Sequence, residues 1–206
     1  MNLDDVERFR ELDPAAMLDK IETLPDQLEA AWKMGQELPL DAVVGLRHIV
    51  IAGMGGSAIG GDLLTAYTSR HIRTPIVVWR DYDLPAFAAG PESLLIASSH
   101  SGNTEEVLSS FEKGMSQGVT ILAVTTGGEL GRRAQRSGAA LWRFDHPGPP
   151  RTAVAYSFGL LLAAVHRLGV IADPSAELAD AVSAMRKQQA RLRPDVRAVH
   201  NPATRL

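Results

Sequence analysis

The sequence contains no cysteine. Disulfides, iron–sulfur clusters, thiolate zinc sites and a cysteine nucleophile are excluded, and the composition fits a cytoplasmic protein. Excess charge of one sign is also lacking: 21 Lys and Arg against 24 Asp and Glu leave a net charge of −3. No global field favours nucleic acid or an anionic membrane, so neither is expected as a partner, and any anion site must be local. Long apolar runs are missing. The most apolar stretch, 153–165, is too short to cross a bilayer and carries Tyr156 and Ser157. The first twelve residues are acidic and amphipathic, without the basic and apolar regions of a signal peptide. Aromatic residues are only 5% of the chain, and Trp32, Trp79 and Trp142 read as core. There is no internal repeat or low-complexity segment.

Apolar runs alternate with helical patterns. Strands are expected over 48–52, 75–79, 93–98, 119–124 and 139–144, and helices over 57–69, 104–117 and 129–137. The first run, His48-Ile49-Val50-Ile51-Ala52, is almost uninterrupted, as when both faces of a parallel strand are covered. Alternation at this spacing predicts right-handed βαβ units and an α/β fold with a doubly wound, five-stranded parallel sheet flanked by helices. Ahead of the sheet, Asp13 reads as an N-cap with Pro14 at the first helical position, and Pro25 kinks or divides the segment that follows. Behind it, helices are expected over 152–168 and from Asp173-Pro174 to about 191, and Asn201-Pro202 looks like a fresh helix start. The expected organisation is N-terminal helices over 1–46, the α/β domain over 47–192, and a linker or helix over 193–206 leading toward a second domain, so that the sequence is the front part of something longer. The helices at 153–168 and 175–191 are expected to expose apolar faces that drive self-association.

Two loops follow strand ends and open helices. One is Gly53-Met54-Gly55-Gly56-Ser57; the other is Ser98-Ser99-His100-Ser101-Gly102-Asn103-Thr104. Small residues, hydroxyls and backbone amides at a helix N-terminus suit a phosphate dianion. In the second loop Ser99 and Ser101, with one residue between them, would point to one side of an extended chain, with Thr104 opening the helix. The competing reading is a helix cap by Asn103 or Ser101. In the first loop, Gly53-x-Gly55-x-x-Ala58 loosely fits a dinucleotide fingerprint, with Asp81 placed to meet a ribose, or else it is a tight turn with close helix packing at Gly60-Gly61.

Other candidates carry less. Arg151 follows a stiff Pro147-Gly148-Pro149-Pro150 loop and suits a phosphate or an enediolate, or is a solvated charge. His100 could line the pocket or pack beside it. His48, His71, His146, His166 and His200 show no metal spacing, and no metal is expected. Asp62, Glu105 and Glu106 stand near helix N-termini, where they stabilise the helix.

Taken together, Gly-Met-Gly-Gly-Ser-Ala-Ile-Gly-Gly-Asp (53–62) and Ser-His-Ser-Gly-Asn-Thr-Glu-Glu (99–106) resemble a sugar isomerase (SIS) domain, and more narrowly the bifunctional phosphoglucose/phosphomannose isomerases. The resemblance implies a flavodoxin-like fold, with Gly55, Gly56 and Ser57 bordering a sugar, Ser99, Ser101 and Thr104 holding its phosphate, and Arg151 stabilising an enediolate. It implies interconversion of fructose 6-phosphate with glucose 6-phosphate and mannose 6-phosphate, with no metal or organic cofactor, in homodimers of two-domain chains. It also places the glutamate base and the ring-opening histidine beyond the first domain. This chain is therefore expected to be the substrate-gripping N-terminal half, with little activity alone. A non-catalytic sugar-phosphate sensor, a single-domain isomerase active as an oligomer, and a dinucleotide-binding domain are the alternatives.

Overall fold

The five apolar runs form strands: β1 (His48–Ala52), β2 (Ile76–Trp79), β3 (Ser93–Ser99), β4 (Thr120–Thr125) and β5 (Ala140–Arg143). The computed structural model describes residues 4–204. All strand pairs are parallel, in the order β2-β1-β3-β4-β5. The helices are α1 (Val6–Leu12), α2 (Met17–Glu22), α3 (Leu24–Glu37), α4 (Gly55–Thr68), α5 (Glu105–Ser116), α6 (Gly128–Ser137), α7 (Val154–Arg167) and α8 (Ser175–Leu192), with 3-10 turns at Pro150–Thr152 and Pro202–Thr204. Alternate strand residues face two cores. Ile49, Ile51, Leu94, Ile96, Leu122 and Val124 pack with α3, α4, α7 and α8. Val50, Ala52, Leu95, Ala97, Ile121 and Ala123 pack with α5 and α6. Helices on both faces explain why these strands are apolar without alternation.

Several sequence expectations need correction. Asp13 follows α1 as its C-cap, and α2 begins only at Met17; Asp13 still serves that helix, because its Oδ2 accepts from Leu18 N at 2.9 Å. Of the two outcomes expected for Pro25, the structure shows division: it lies in the first turn of α3, where no intrahelical donor is needed. The helix expected over 152–168 splits into the 3-10 turn and α7, since Thr152 N and Ala153 N bond back to Pro149 O and Pro150 O. The start expected at Asn201-Pro202 is a single 3-10 turn, in which Asn201 Oδ1 accepts from Ala203 N; residues 205 and 206 lie outside the described residues.

The largest correction concerns α7. Leu160 to Val165 are all buried, because α3 and α4 pack against the helix and the sheet residues of the same core meet it. A helix apolar all round is a core helix. Most of its apolar surface is consumed inside this chain, with Val154, Tyr156 and Phe158 half-buried. On α8 Leu178 and Val182 are buried, while exposed apolar residues recur on α4 as Ile59, Leu63 and Tyr67 at four-residue spacing.

Candidate functional site

The strand order places the site. From β1 the chain winds outward to β2; from β3 it winds the other way through β4 to β5. The loops leaving β1 and β3 therefore diverge from adjacent strands, and the crevice between them is where ligands bind in open parallel sheets. The two loops singled out from sequence are those two.

The glycine loop is shorter than expected, because α4 begins at Gly55 and not at residue 57. Gly55, Gly56 and Ser57 thus form its first turn. The amides of Gly55 and Gly56 have no intrahelical acceptor. Glycine at 56 is required by approach: a Cβ there would lie 2.8 Å from Pro150 O and 3.1 Å from Arg151 N. The turn that carries Arg151 passes directly over the start of α4. Ser57 is 8% exposed, and its Oγ accepts from His100 N at 3.1 Å, tying the first loop to the second. Close packing at Gly60 and Gly61 is also present, against Ser157 of α7 and against Ile51 and Val78.

In the second loop Ser99 and Ser101 do not share a side. β3 ends at Ser99, and the chain turns at Gly102, whose φ is +68°. Ser99 is 2% exposed; its Oγ accepts from Gly102 N at 3.1 Å and lies 2.8 Å from Thr104 Oγ1. Ser101 is exposed, and its Oγ accepts from Asn103 N at 3.2 Å. Thr104 is the N-cap of α5 but caps no amide, so its hydroxyl stands with Ser99 before the free N-terminal amides of the helix. Asn103 caps a different helix from the one it precedes: its Oδ1 accepts from Glu129 N of α6 at 3.0 Å. The loop is clamped to the β4–α6 segment by His100 O, which accepts from Thr126 N and Thr126 Oγ1, and by Gly102 O, which accepts from Leu130 N at 2.8 Å. A side chain at 102 would collide with the Gly127 carbonyl.

Arg151 is the exposed middle residue of its 3-10 turn, and among the described residues no carboxylate pairs with it. The turn is held from below by Gln27 of α3, 5% exposed, whose Nε2 donates to Thr152 O at 2.9 Å. Sequence reasoning missed Gln27, since a lone glutamine in an amphipathic helix carries no signal. It also missed His146. The His146 ring meets the His100 ring at 3.1 Å between Nδ1 and Nε2, beside Phe144 and Tyr156. Burial lowers the proton affinity of both rings. The neighbouring His146 adds to the effect at His100, and the Lys20 charge adds to it at His146. The one clue in the sequence is position, because His100 and His146 both stand just beyond strand ends.

Several nearby carboxylates are engaged. Asp62 pairs with Arg80, and Glu105 accepts from Tyr82 Oη at 3.2 Å. Glu129 is held down to about 2 by hydrogen bonds from Arg133 and Arg132. Asp81 Oδ1 accepts from Tyr82 N at 2.8 Å. Among the described residues no group of three or more His, Asp or Glu could hold a metal ion, and no helix is long and apolar enough to cross a membrane.

No protein-family model matches the chain. It is 36% identical over 191 residues to the bifunctional phosphoglucose/phosphomannose isomerase of Caldicellulosiruptor bescii, covering 92% of this chain and 56% of that protein. It is 38% identical over 137 residues to the Aquifex aeolicus protein of the same name, covering 66% of this chain and 40% of that one. The chain thus spans about half the length of the curated relatives it matches. Among solved structures, a hypothetical protein from Thermus thermophilus aligns over 94% of this chain and 49% of its own, with TM-score 0.63 and 21% identity. Tagatose-6-phosphate ketose/aldose isomerase from Escherichia coli aligns over 83% and 52%, with TM-score 0.54 and 19% identity. The Vibrio vulnificus NanR protein complexed with ManNAc-6P aligns over 91% and 73%, with TM-score 0.51 and 19% identity. The chain folds as an SIS-type α/β unit and is homologous, over nearly its whole length, to the bifunctional phosphoglucose/phosphomannose isomerases.

Proposed function

We propose that this chain is the N-terminal, sugar-phosphate-gripping SIS unit of a bifunctional phosphoglucose/phosphomannose isomerase, which interconverts fructose 6-phosphate with glucose 6-phosphate and mannose 6-phosphate. The observation that carries the reading is the single bond between Ser57 Oγ and His100 N, which joins the glycine loop and the hydroxyl loop across the switch point. In this reading the free amides of both helices face one crevice, and a phosphate dianion is the ligand that such a crevice favours.

In this reading Ser101, Thr104 and the first amides of α5 take the phosphate, with Ser99 holding Thr104 in place. Gly55, Gly56 and Ser57 border the sugar. Arg151, poised over Gly56 with no carboxylate partner among the described residues, faces the carbon end. Isomerisation moves a proton between C1 and C2 through an enediolate, whose negative charge a guanidinium stabilises. The base must be a positioned group of suitable pKa. Asp62, Glu105 and Glu129 are engaged, and we assign the base, together with the ring-opening histidine, to protein outside this chain, as the family resemblance implies. The working assembly is a cytoplasmic homodimer that needs no metal or organic cofactor, with residues 47–192 as the SIS domain, 1–46 packing on it, and 193–206 leading to a second SIS domain. A sugar-phosphate-binding module without catalysis is the second reading; NanR, a protein of similar fold, is seen with a sugar phosphate.

Calorimetric titration of the protein with fructose 6-phosphate, with fructose as the control, tests the proposal. Binding of the phosphorylated sugar alone is expected, without isomerase turnover. No binding of fructose 6-phosphate overturns the reading. Turnover by the 206-residue chain alone would instead make it a single-domain isomerase.

A further inference from the structure

The two histidine rings link the two halves of the cleft through a chain of hydrogen bonds whose direction is fixed. Gly148 N can only donate, and it lies 3.2 Å from His146 Nδ1. That nitrogen is therefore unprotonated, and in this tautomer His100 Nε2, 3.1 Å away, carries the proton and shares the single Nδ1 lone pair with Gly148 N in a three-centre bond. The proton of His146 is then on Nε2, which donates toward Thr152 Oγ1 at 3.4 Å, and the Thr152 hydroxyl passes its own hydrogen to Pro149 O at 2.9 Å. The chain starts in the hydroxyl loop and ends in the turn that carries Arg151.

We propose that His146 is a positioning residue: by accepting from His100 and donating to Thr152 it latches the Arg151 turn to the loop containing Ser99 and Ser101, and a proton on Nδ1 opens the latch. The role given to Arg151 and to that loop rests on the sugar-phosphate reading above. Protonated Nδ1 would face two N–H groups and lose both bonds. Protonation of His100, whose Nε2 already carries a hydrogen, leaves its bond intact. Only His146 is the switch.

The surroundings keep it closed at neutral pH. Lys20 of α2 reaches this segment, its Cδ 3.1 Å from where a Cβ on Gly148 would stand, and its charge opposes a second cation at His146. Tyr156 of α7 stacks edge-on at 6.3 Å. Asp145 and Arg151 flank the ring along its own segment. Toward His100, α4 contributes Ser57 and the β4–α6 segment Thr126, neither of them charged. Burial lowers the proton affinity of both rings, so the closed form persists below the ordinary histidine midpoint of 6.5.

The test uses two variants. Asparagine at 146 keeps an acceptor near the place of Nδ1 but cannot be protonated; alanine removes it. In the unliganded protein, amide-exchange protection at Thr152 and Ala153 should be high at pH 7.5 and fall as the pH is taken progressively below 6.5. His146→Ala should show low protection throughout, and His146→Asn, which keeps the acceptor but loses the donor to Thr152, intermediate protection that does not change with pH. Loss of one neutral hydrogen bond corresponds to roughly two- to tenfold weaker protection. Fructose 6-phosphate affinity should follow the same order, with His146→Ala weakened by roughly two- to tenfold at pH 7.5. The ligand's own second ionisation, near pH 6, acts on all three proteins alike, so the comparison is between variants. Wild-type protection in His146→Ala, or the same acid loss in His146→Asn as in the wild type, overturns the latch. If the wild type fails to bind fructose 6-phosphate, the sugar-phosphate reading falls, and the exchange measurement still decides the latch.

Discussion

Ser99 and Ser101 are two residues apart, and replacing each by alanine should give opposite results. Ser99 is 2% exposed, and its hydroxyl meets both Gly102 N and Thr104 Oγ1. Gly102 N retains a second acceptor in Ser99 O at 3.1 Å, so the main loss in Ser99→Ala is a partner for the Thr104 hydroxyl. Orphaning one part-buried hydroxyl costs about 1–2 kcal/mol. For a chain of this size that lowers the melting temperature by roughly 2–8 °C. Ser101 is exposed and makes only a local bond to Asn103 N. Ser101→Ala should leave stability within about 0.5 kcal/mol. Its effect should appear in binding, where losing a charge-assisted bond to phosphate costs about 1.5–3 kcal/mol, or roughly 10- to 150-fold in affinity for fructose 6-phosphate. Thermal melts and calorimetry on the same preparations read both quantities. If Ser101→Ala binds like the wild type while Ser99→Ala melts like it, the division between a structural and a binding serine is wrong.

Four further outcomes follow from the geometry. Gly102→Ala should destabilise by about 2 kcal/mol or more in urea unfolding, since φ is +68° and the new Cβ meets the Gly127 carbonyl; a neutral result would mean that the two loops are not clamped. Leu161→Ala should cost about 2–5 kcal/mol, because the residue is fully buried between α3, α4 and the sheet; a surface-like loss below about 0.5 kcal/mol would return α7 to an exposed role. His100 and His146 both have folded-state pKa values below the ordinary 6.5, so the unfolded chain binds more protons; the urea midpoint should be steady above about pH 7 and fall as the pH drops through 6.5 and below. Titration with NAD should show no binding, because the Pro150–Arg151 backbone already crosses the start of α4 and Asp81 is turned onto Tyr82 N; NAD binding that Asp81→Ala abolishes would restore the dinucleotide reading.

The sheet is legible in its apolar runs because covering both faces of a parallel strand leaves a continuous signal, and every strand end falls within one residue of expectation. The loops are legible because turns at strand ends demand glycine and hydroxyls. What each hydroxyl does is not legible. Ser99 and Ser101 look equivalent in sequence, and only the turn at Gly102 makes one a buried strut and the other an exposed donor. Asn103 looks like a cap for α5, and it caps α6 because the two loops touch back to back. Helix ends are less legible than strands, since α4 starts on Gly55 and Gly56 against their weak helical preference. Tertiary contact decides there: the passing turn at Pro150 leaves room only for glycine.

The same long-range logic explains α7 and His146 together. A helix apolar on every side reads in sequence as a surface awaiting a partner, whereas it is the post around which the site is assembled. α7 sets Ser157 against Gly60 and gives Ser157 Oγ the carbonyl of Ser57, which fixes the first turn of α4. Its Tyr156 ring packs on Phe144 and His146, which brings the segment after β5 to the loop after β3. His100 and His146 lie 46 residues apart, and no spacing rule pairs them. They meet because the parallel strands β3 and β5 both end at the C-terminal end of the sheet and one buried helix holds both of the segments that follow. A substitution deep in α7, such as Leu161→Ala, should therefore weaken the His100–His146 bond as well as the fold, and exchange at Thr152 should rise before global unfolding does.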